Sequence, residues 1–493
     1  MLTATPAVPP RLRDALTRLS FNQIDGTLMA AESGATFPVE NPASPSEILS
    51  HFPASGPGEV QAAVEAAHAA LPAWRAMPAP ERARILERAV ALLEARAEEL
   101  AYALTWEEGK PIAESRVEIR RGLDVMRYFA GEGRRMGGQT LPSALPNMFA
   151  FTQRRPLGVV GLITPWNFPF AIPAWKVAPA LITGNTVVLK PAPETPLCAM
   201  LLAEGLAEAG LPAGVLNVVH GDGKVGQEIV SHPMIRGLSF TGSTAVGKQI
   251  NAAAASRLAK VQLELGGKNA AIVLEDADLD LAAREIAAAA WGSTGQRCTA
   301  TSRLIVQRGV AAKLTDKLRE LAPSYRVGSG FDPEVKVGAV ITPKALARIE
   351  RYVALAQEEG AKLALGGHRV EGDGYFYAPT VITGVSPLMT VAQEEIFGPV
   401  LAMIEVEDLT EAIAVANAVS YGLSSAVYTR DIGAALAYAR EAETGMLHVN
   451  CSSIYSEIQL PFGGMKDSGF GGREMGPTAI DFYTEWQTMY MQG

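Results

Sequence analysis

The chain has 493 residues, of which 48% are hydrophobic and 19% charged, a globular balance that excludes wholesale disorder. At roughly 150 residues per domain the length suggests about three structural units. The 52 acidic residues outnumber the 43 basic ones for a net charge of −9, and no basic block appears, which argues against nucleic acid as a partner.

The start, MLTATPAVPPRLRDALTRLS, lacks the apolar core of about 7–15 residues that a secretory signal needs, and no later stretch gives about 18 apolar residues without charges. A cytoplasmic protein with no membrane partner is expected. Residues 57–133 place apolar side chains three or four apart among Ala, Leu, Glu and Arg, as in ERARILERAVALLEARAEELAYAL, and read as amphipathic helices. From 157 onward LGVVGLITP, TVVLKP, VLNVVHG, GLSFTG and KVQLELGG are short β-rich runs separated by helix-length segments. That alternation predicts a parallel sheet covered by helices, with ligands at the carboxyl ends of its strands.

Between about 267 and 455 a second alternating region, NAAIVLE, SRLIVQ, PVLAMIEV, SSAVYT and GMLHVN, predicts another α/β unit. GGQTLPSALPNMFAFTQRRP and the tail FYTEWQTMYMQG are β-prone but belong to neither sheet, and orphan strands of this kind often pair with another subunit. No repeat or long linker intervenes, so the two α/β units are expected to pack around a cleft.

Three cysteines, Cys198, Cys298 and Cys451, form no CxxC pair, which fits a reducing compartment. The six histidines never reach zinc-ligand spacing, and no metal is expected. Cys298 sits in the polar turn GQRCT, where a thiol can meet a substrate as a nucleophile. Cys198 lies in PLCAMLLAEGLAEAG with apolar neighbours at helical spacing and reads as core, whereas Cys451 in HVNCSS suits a cleft wall or a packed turn equally. Glu264 interrupts a β-rich run. A buried carboxylate there must be paired or hold its proton tightly, which suits a general base. Asn167 lies just past the strand LGVVGLIT, where its amide serves either the loop or a developing oxyanion.

Two glycine-rich turns are ambiguous. Gly221-Asp222-Gly223-Lys224-Val225-Gly226 matches the GxGxxG pattern, but no acid follows about 20 residues on to hold a ribose, so a tight strand-to-helix turn competes with a pyrophosphate cradle. Gly242 to Gly247-Lys248 resembles a P-loop until Gln249 replaces the required hydroxyl residue, which argues against nucleotide triphosphate hydrolysis and leaves a helix N-terminus suited to a phosphate.

PWNFP (165–169), WKVAPAL (175–181), KPA (190–192), FTGSTAVG (240–247), LELGGK (263–268), GQRC (295–298), EEIFGP (394–399) and PFGGMKDSG (461–469) together resemble the aldehyde dehydrogenase superfamily, in its order and over essentially the whole chain. The resemblance implies an α/β fold with a Rossmann-like cofactor domain from 1–136 and 157–266 and an α/β catalytic domain at 267–455. It further implies a small β oligomerisation element from 137–156 and 480–493, a return segment at 456–479, and a homodimer or homotetramer. By the same resemblance Cys298 is the nucleophile, Glu264 the general base and Asn167 an oxyanion donor, with Lys176 and Glu474 in a proton relay.

For the cofactor, the resemblance assigns Lys190 to the adenosine ribose, Ser243 to the pyrophosphate, Glu395 to the nicotinamide ribose and Phe397 to the nicotinamide side. It adds Thr164, Pro165, Trp166, Pro193, Glu194, Gly223, Gly226, Gly242, Gly247 and Leu265 to the binding surface. Pro193 stands where many NAD-preferring relatives carry a glutamate, while Lys190 remains to attract a phosphate; Glu194, one residue later, either swings toward the ribose and restores NAD preference or points to solvent, and dual use of NAD and NADP is expected, within about a hundredfold. RRPLGVVGLITPWNFPFAIPAWKVAPAL and GSTGQRCTATSR look closest to bacterial dehydrogenases of 2-oxoglutarate semialdehyde, although no single arginine stands out as the ligand of a distal carboxylate. The expected reaction converts a small aldehyde to its carboxylate through a cysteine thiohemiacetal and a thioester. A coenzyme-A-acylating dehydrogenase, a cofactor-independent thioesterase or esterase, and a non-catalytic binding protein on the same scaffold are the alternatives.

Overall fold

The computed structural model describes residues 8–493, so the first seven residues of the 1–136 range and of MLTATPAVPPRLRDALTRLS lie outside it. The helical stretch resolves into Pro57–Ala76, Ala79–Glu94, Ala97–Glu108 and Ile112–Glu132. Local chemistry sets these ends. Glu59 accepts from the Gly56 N–H at 2.7 Å and so caps the first helix, and Gly109, at φ +91°, closes the third helix before Pro111 leads into the fourth. The apolar faces of the last three, including Leu86, Leu93, Leu104 and Leu123, are buried in one core with Leu197, Leu201 and Leu206 of the helix Leu197–Glu208, while Val60, Ala63, Val64 and Ala67 of the first pack with Val159 and Val188 of the first sheet. Each such leucine contributes about 1.5–3 kcal/mol relative to exposure.

The first sheet has eight strands in the order Thr27–Met29, Asn22–Ile24, Leu216–Val218, Thr186–Lys190, Val159–Ile163, Ile235–Thr241, Lys260–Glu264 and Gly469–Gly471. The central strands from Leu216–Val218 to Lys260–Glu264 are mutually parallel, while the edges add antiparallel strands. Val159–Ile163 and Thr186–Lys190 are buried along their whole length, which is why they read as unbroken apolar runs instead of alternating ones. The second sheet runs Lys362–Leu365, Thr380–Thr383, Val400–Val406, Thr301–Gln307, Asn269–Val273, Ser424–Tyr428 and Met446–Val449, parallel except at its first strand.

Two hairpins precede the helices and escaped the reading above. Asn22–Ile24 and Thr27–Met29 join through Asp25 and Gly26, at φ +51° and +73°, the Asp-Gly turn favoured between antiparallel strands. Thr36–Asn41 pairs with Ser44–Pro53.

The orphan strands find each other within the chain. Met148–Pro156 pairs antiparallel with Thr484–Gln492 from Pro156↔Thr484 to Met148↔Gln492, and Trp486, Met489, Tyr490 and Met491 remain exposed on the tail strand. Before that tail, Gly469–Gly471 adds to the first sheet against Lys260–Glu264, and the helix Gly476–Tyr483 is tied down when Asn185 donates to the Tyr483 carbonyl at 2.9 Å. No described helix is long and apolar enough to cross a membrane.

Candidate active site

The carboxyl ends of the first sheet's parallel strands form one rim. Ile163 is in register with Lys190 and Phe240, and Thr241 with Glu264, so the loops beginning at Thr164, Pro191, Gly242 and Leu265 emerge side by side. The second sheet contributes loops that precede its strands, with Cys298 before Thr301–Gln307, and Glu395 and Phe397 before Val400–Val406. Between the two rims lies a cleft of about 580 Å³ whose walls include Trp166, Asn167, Ser243, Cys298, Glu395 and Phe397. The topology thus brings together groups far apart in sequence.

Cys298 follows an unusual turn. Ser293, Thr294 and Gly295 are consecutive left-handed residues at φ +47°, +57° and +65°, a conformation costing roughly 1–2 kcal/mol per non-glycine residue. Only glycine fits the third position, because a Cβ on Gly295 would stand 2.1 Å from the Gly398 carbonyl oxygen. Side-chain bonds offset the strain. Thr294 donates to the Gly338 carbonyl at 3.1 Å, and Gln296 donates to the Ala339 carbonyl at 3.2 Å and accepts from the Ile341 N–H at 3.0 Å. Asn269 donates to the Cys298 carbonyl at 2.7 Å. Burial, followed by the nearby Glu395, Glu264 and Glu474 charges, pushes the Cys298 thiol up to about 12, so this desolvated site holds it protonated.

Asn167 is buried and spends one amide hydrogen on the Gln296 carbonyl at 2.9 Å, which leaves the other free for a ligand. Glu264 is buried at the end of its strand, and its carboxylate makes no strong hydrogen bond among the described residues, the Gly464 backbone N–H acting on it only weakly. Burial, reinforced by the Glu474 carboxylate and opposed by Arg473 and Lys176, raises its pKa well above the usual carboxylate range. A Cβ on Gly463 would approach its Oε1 to 2.4 Å, so the turn over this carboxylate needs glycine. Behind it, Lys176 pairs with Glu474 and donates to Ser239 Oγ at 2.7 Å, all three side chains being buried.

The other cofactor-side positions divide by role. Lys190 is buried, donates to the Pro191 carbonyl at 2.9 Å, and is lowered to about 8 by desolvation. Thr164 Oγ1 is buried without a partner among the described residues. Gly242 and Gly247 act by closeness, since a Cβ on either would lie 2.4 Å from Phe240 or Leu265. The helix they open, Thr244–Ala255, presents its N-terminus at the rim with Ser243 as its first flanking residue. Glu395 accepts from the Gly267 N–H at 2.9 Å, and burial raises its pKa. Phe397, held at φ +58°, meets Trp166 edge to face at 5.4 Å. Pro165, Glu194 and Leu265 also line this cleft, and Pro193 lines a second one of about 510 Å³ with Phe37, Pro57, Asp222, Lys224 and Val225. A buried cation, an unsatisfied hydroxyl and an open helix end beside two clefts fit a dinucleotide.

Two readings of the sequence take a particular form here. The helix Gly223–Ser231 already has a carboxylate at its N-terminus, because Asp222 accepts from the Lys224 N–H at 2.8 Å. Gly223 faces open space and Gly226 packs toward Lys190. In the broken P-loop, Lys248 pairs with Asp467 at 2.7 Å on the exposed surface. Cys198 is fully buried, with its N–H donating to Glu107 at 2.9 Å, and Cys451 is half-buried below the Tyr428 hydroxyl, which donates to its carbonyl at 3.1 Å. The sequence reading missed Lys110, Glu114, Glu118 and Arg121. Their signal was a run of charged residues at the start of an otherwise core-facing helix.

A model described as the aldehyde dehydrogenase family matches residues 28–489. This chain belongs to that family. It is 44% identical over 477 residues to the alpha-ketoglutaric semialdehyde dehydrogenase of Bacillus subtilis (strain 168), covering 96% of this chain and 98% of that one. An NADP-dependent enzyme of E. coli is similar in structure at a TM-score of 0.94 and 40% identity, over 97% of this chain and 99% of that one. A betaine aldehyde dehydrogenase from Staphylococcus aureus, solved in complex with NAD+, reaches 0.95 at 33% identity, over 98% and 97%. This aldehyde dehydrogenase oxidises aldehydes with a nicotinamide dinucleotide as acceptor.

The turn before Cys298 makes a direct prediction. Gly295→Ala should destabilise the fold by at least about 1 kcal/mol and depress turnover, measured by thermal melting and by kcat on the purified enzyme. A variant with unchanged melting and kcat would contradict the geometry of this turn.

Proposed function

We propose that this aldehyde dehydrogenase oxidises a short semialdehyde bearing a distal carboxylate, of the 2-oxoglutarate semialdehyde class, with Cys298 as nucleophile, Asn167 as oxyanion donor and Glu264 as general base. The observation that carries the chemistry is the meeting of Cys298 and Asn167 at one cleft, with the buried Glu264 carboxyl close enough to the thiol to raise its pKa when ionised. Cys298 Sγ, once deprotonated, adds to the aldehyde carbon. The oxygen that becomes negative is held by the free Asn167 amide hydrogen and the Cys298 N–H, and losing one such donor typically costs about 100-fold to 1000-fold in rate. A nicotinamide dinucleotide held by Lys190, Ser243 and Glu395 would supply the hydride acceptor. Cys298 then carries the acyl group as a thioester. Glu264, when ionised, takes a proton from the attacking water and the carboxylate is released. The buried Lys176–Glu474 pair offers that proton a way onward.

The substrate class rests on the Bacillus relative and on Arg121. This guanidinium donates to the Ser456 carbonyl and hydroxyl, each at 2.8 Å, and to Met475 Sδ at 3.7 Å. Among the described residues no carboxylate lies within ion-pair distance of it. Its neighbour Gly122 lies against Phe170, where a Cβ would come 2.7 Å from the ring, at the turn that carries Asn167. Ser453 of the Ser456 loop donates to the Thr299 carbonyl at 2.9 Å, next to the nucleophile. A cation held there with Glu457 and Asp124 acting on it only from beyond ion-pair distance suits a substrate carboxylate.

For the cofactor, the proposal is dual use of NAD and NADP. Pro193 presents no charge to the adenosine ribose, and Lys224, which lines the same cleft as Pro193 together with Asp222 and Glu228, offers a cation to a phosphate. The sheet at Met148–Pro156 and Thr484–Gln492, with its exposed aromatic and methionine side chains, supports a homodimer or homotetramer. The free thiols suit a cytoplasmic setting. We assign the cofactor domain to 1–136 and 157–266, the catalytic domain to 267–455, and the return segment to 456–479.

Three expectations follow from these roles. Because burial raises the Glu264 pKa, ionised base is scarce at low pH, and the deacylation rate should climb as pH rises through that pKa. Rapid mixing of Glu264→Gln should keep a burst of up to one reduced cofactor per site, with a slow, pH-flat steady state. Arg121→Met should raise KM about tenfold or more for a carboxylate-bearing semialdehyde and leave a neutral aldehyde of equal length unaffected, and equal effects on both would remove Arg121 from substrate recognition. Pro193→Glu should lower kcat/KM for NADP by about tenfold or more while sparing NAD, and wild-type enzyme that excludes NADP altogether would overturn the pocket reading.

A further inference from the structure

The helix Ile112–Glu132 starts beside both loops that carry the proposed reacting groups, and charged residues spaced four apart, Lys110, Glu114 and Glu118, mark the approach. Lys110 and Glu118 are buried and pair at 2.8 Å. Lys110 donates to the Asn167 carbonyl at 2.6 Å, while Glu118 accepts from the Phe170 and Ala171 N–H groups at 3.1 and 3.2 Å. The turn bearing Asn167 is therefore clamped on both sides.

Glu114 reaches across to the other loop. It accepts from the Ser293 N–H at 3.1 Å and from the Ser293 hydroxyl, and pairs with Arg297 at 3.1 Å. Arg297 Nε in turn donates to Ser293 Oγ at 2.9 Å. One carboxylate thereby closes a ring over the left-handed segment, gripping its first residue and the residue immediately before Cys298. Neither Ser293 nor Thr294 is of a type that adopts positive φ readily, so an external restraint is needed to hold them.

We propose that Glu114 is a positioning residue for the nucleophile. Through Ser293 and Arg297 it keeps the left-handed turn from relaxing, and so holds the Cys298 N–H and Sγ opposite the Asn167 amide. This inference rests on Cys298 being the nucleophile. None of the three touches a reacting atom, and none belongs to the cofactor side, where Lys190, Ser243 and Glu395 come from other elements.

The test compares Glu114→Ala, Glu114→Gln and Glu114→Ala/Ser293→Asn with wild type, with Cys298→Ala alongside. Glu114→Ala should slow the burst and kcat by about tenfold to a hundredfold, as expected of a displaced reacting group, with the cofactor Kd and Tm near wild type. Glu114→Gln keeps an acceptor oxygen for the Ser293 N–H and should retain most of the burst rate. Asn at 293 tolerates the left-handed region, so the double variant should recover at least part of the loss. A wild-type burst rate in Glu114→Ala overturns the proposal, as does a loss explained entirely by fewer folded sites on active-site titration, or a loss that asparagine does not relieve. If Cys298→Ala retains turnover, the nucleophile assignment and this inference fall together. If it abolishes turnover while Glu114→Ala behaves as wild type, only the positioning role falls.

Discussion

Desolvation of the cleft floor governs the behaviour of the groups around it. The same exclusion of water that pushes the Cys298 thiol up to about 12 also raises Glu264 and Glu395 and lowers Lys190 to about 8. Each group is held toward its neutral form, with the reactive charge suppressed until a ligand alters the field. A thiol in this state resists oxidation and stray alkylation, and a carboxylate of raised pKa is a stronger base toward water than an exposed one. Burial here is part of the chemistry, since in low dielectric each donor aimed at a developing charge counts for more than it would in water.

Keeping water out while bringing backbone close demands particular residues. Gly295 passes the Gly398 carbonyl, Gly463 passes the Glu264 carboxylate, and Gly267 passes the Cys298 carbonyl, each at a distance that leaves no room for a Cβ. Buried charges near the site are paired or bonded to backbone, as with Lys110 and Glu118, so that their desolvation is offset by defined geometry. Strain at Ser293 and Thr294 is tolerated because the surrounding bonds over-determine the turn. The two sheets therefore supply rigid rims, and the loops between them are fixed by close packing and side-chain bonds.

Much of this was legible in the chain. Five strand runs of the first sheet and five of the second form strands in the chain order and alternation expected, because buried parallel strands need continuous apolar sequence whatever surrounds them. Cys298 stood out because a thiol in a polar, small-residue turn has no packing role, and Glu264 because a carboxylate inside a β-rich run requires an explanation. The hairpins before residue 57 were passed over although Asp25-Gly26 is a turn signal, since short strands at a sheet edge carry little periodicity. Cys198 read correctly as core, and its N–H meets a buried Glu107 that apolar spacing could not reveal.

Sequence by itself determined the local preferences: which runs form helices or strands, where glycine must stand, and which side chains are chemically able to act. Pairings across long stretches of chain were decided only in three dimensions. Met148–Pro156 meets Thr484–Gln492, Lys176 meets Glu474, and Glu114 meets Ser293 and Arg297 because two sheets pack with their rims opposed. The ionisation of Cys298 and Glu264 belongs to the same category. It depends on how much water the completed fold excludes and on which charges it brings near, and neither quantity exists until the chain has closed around the site.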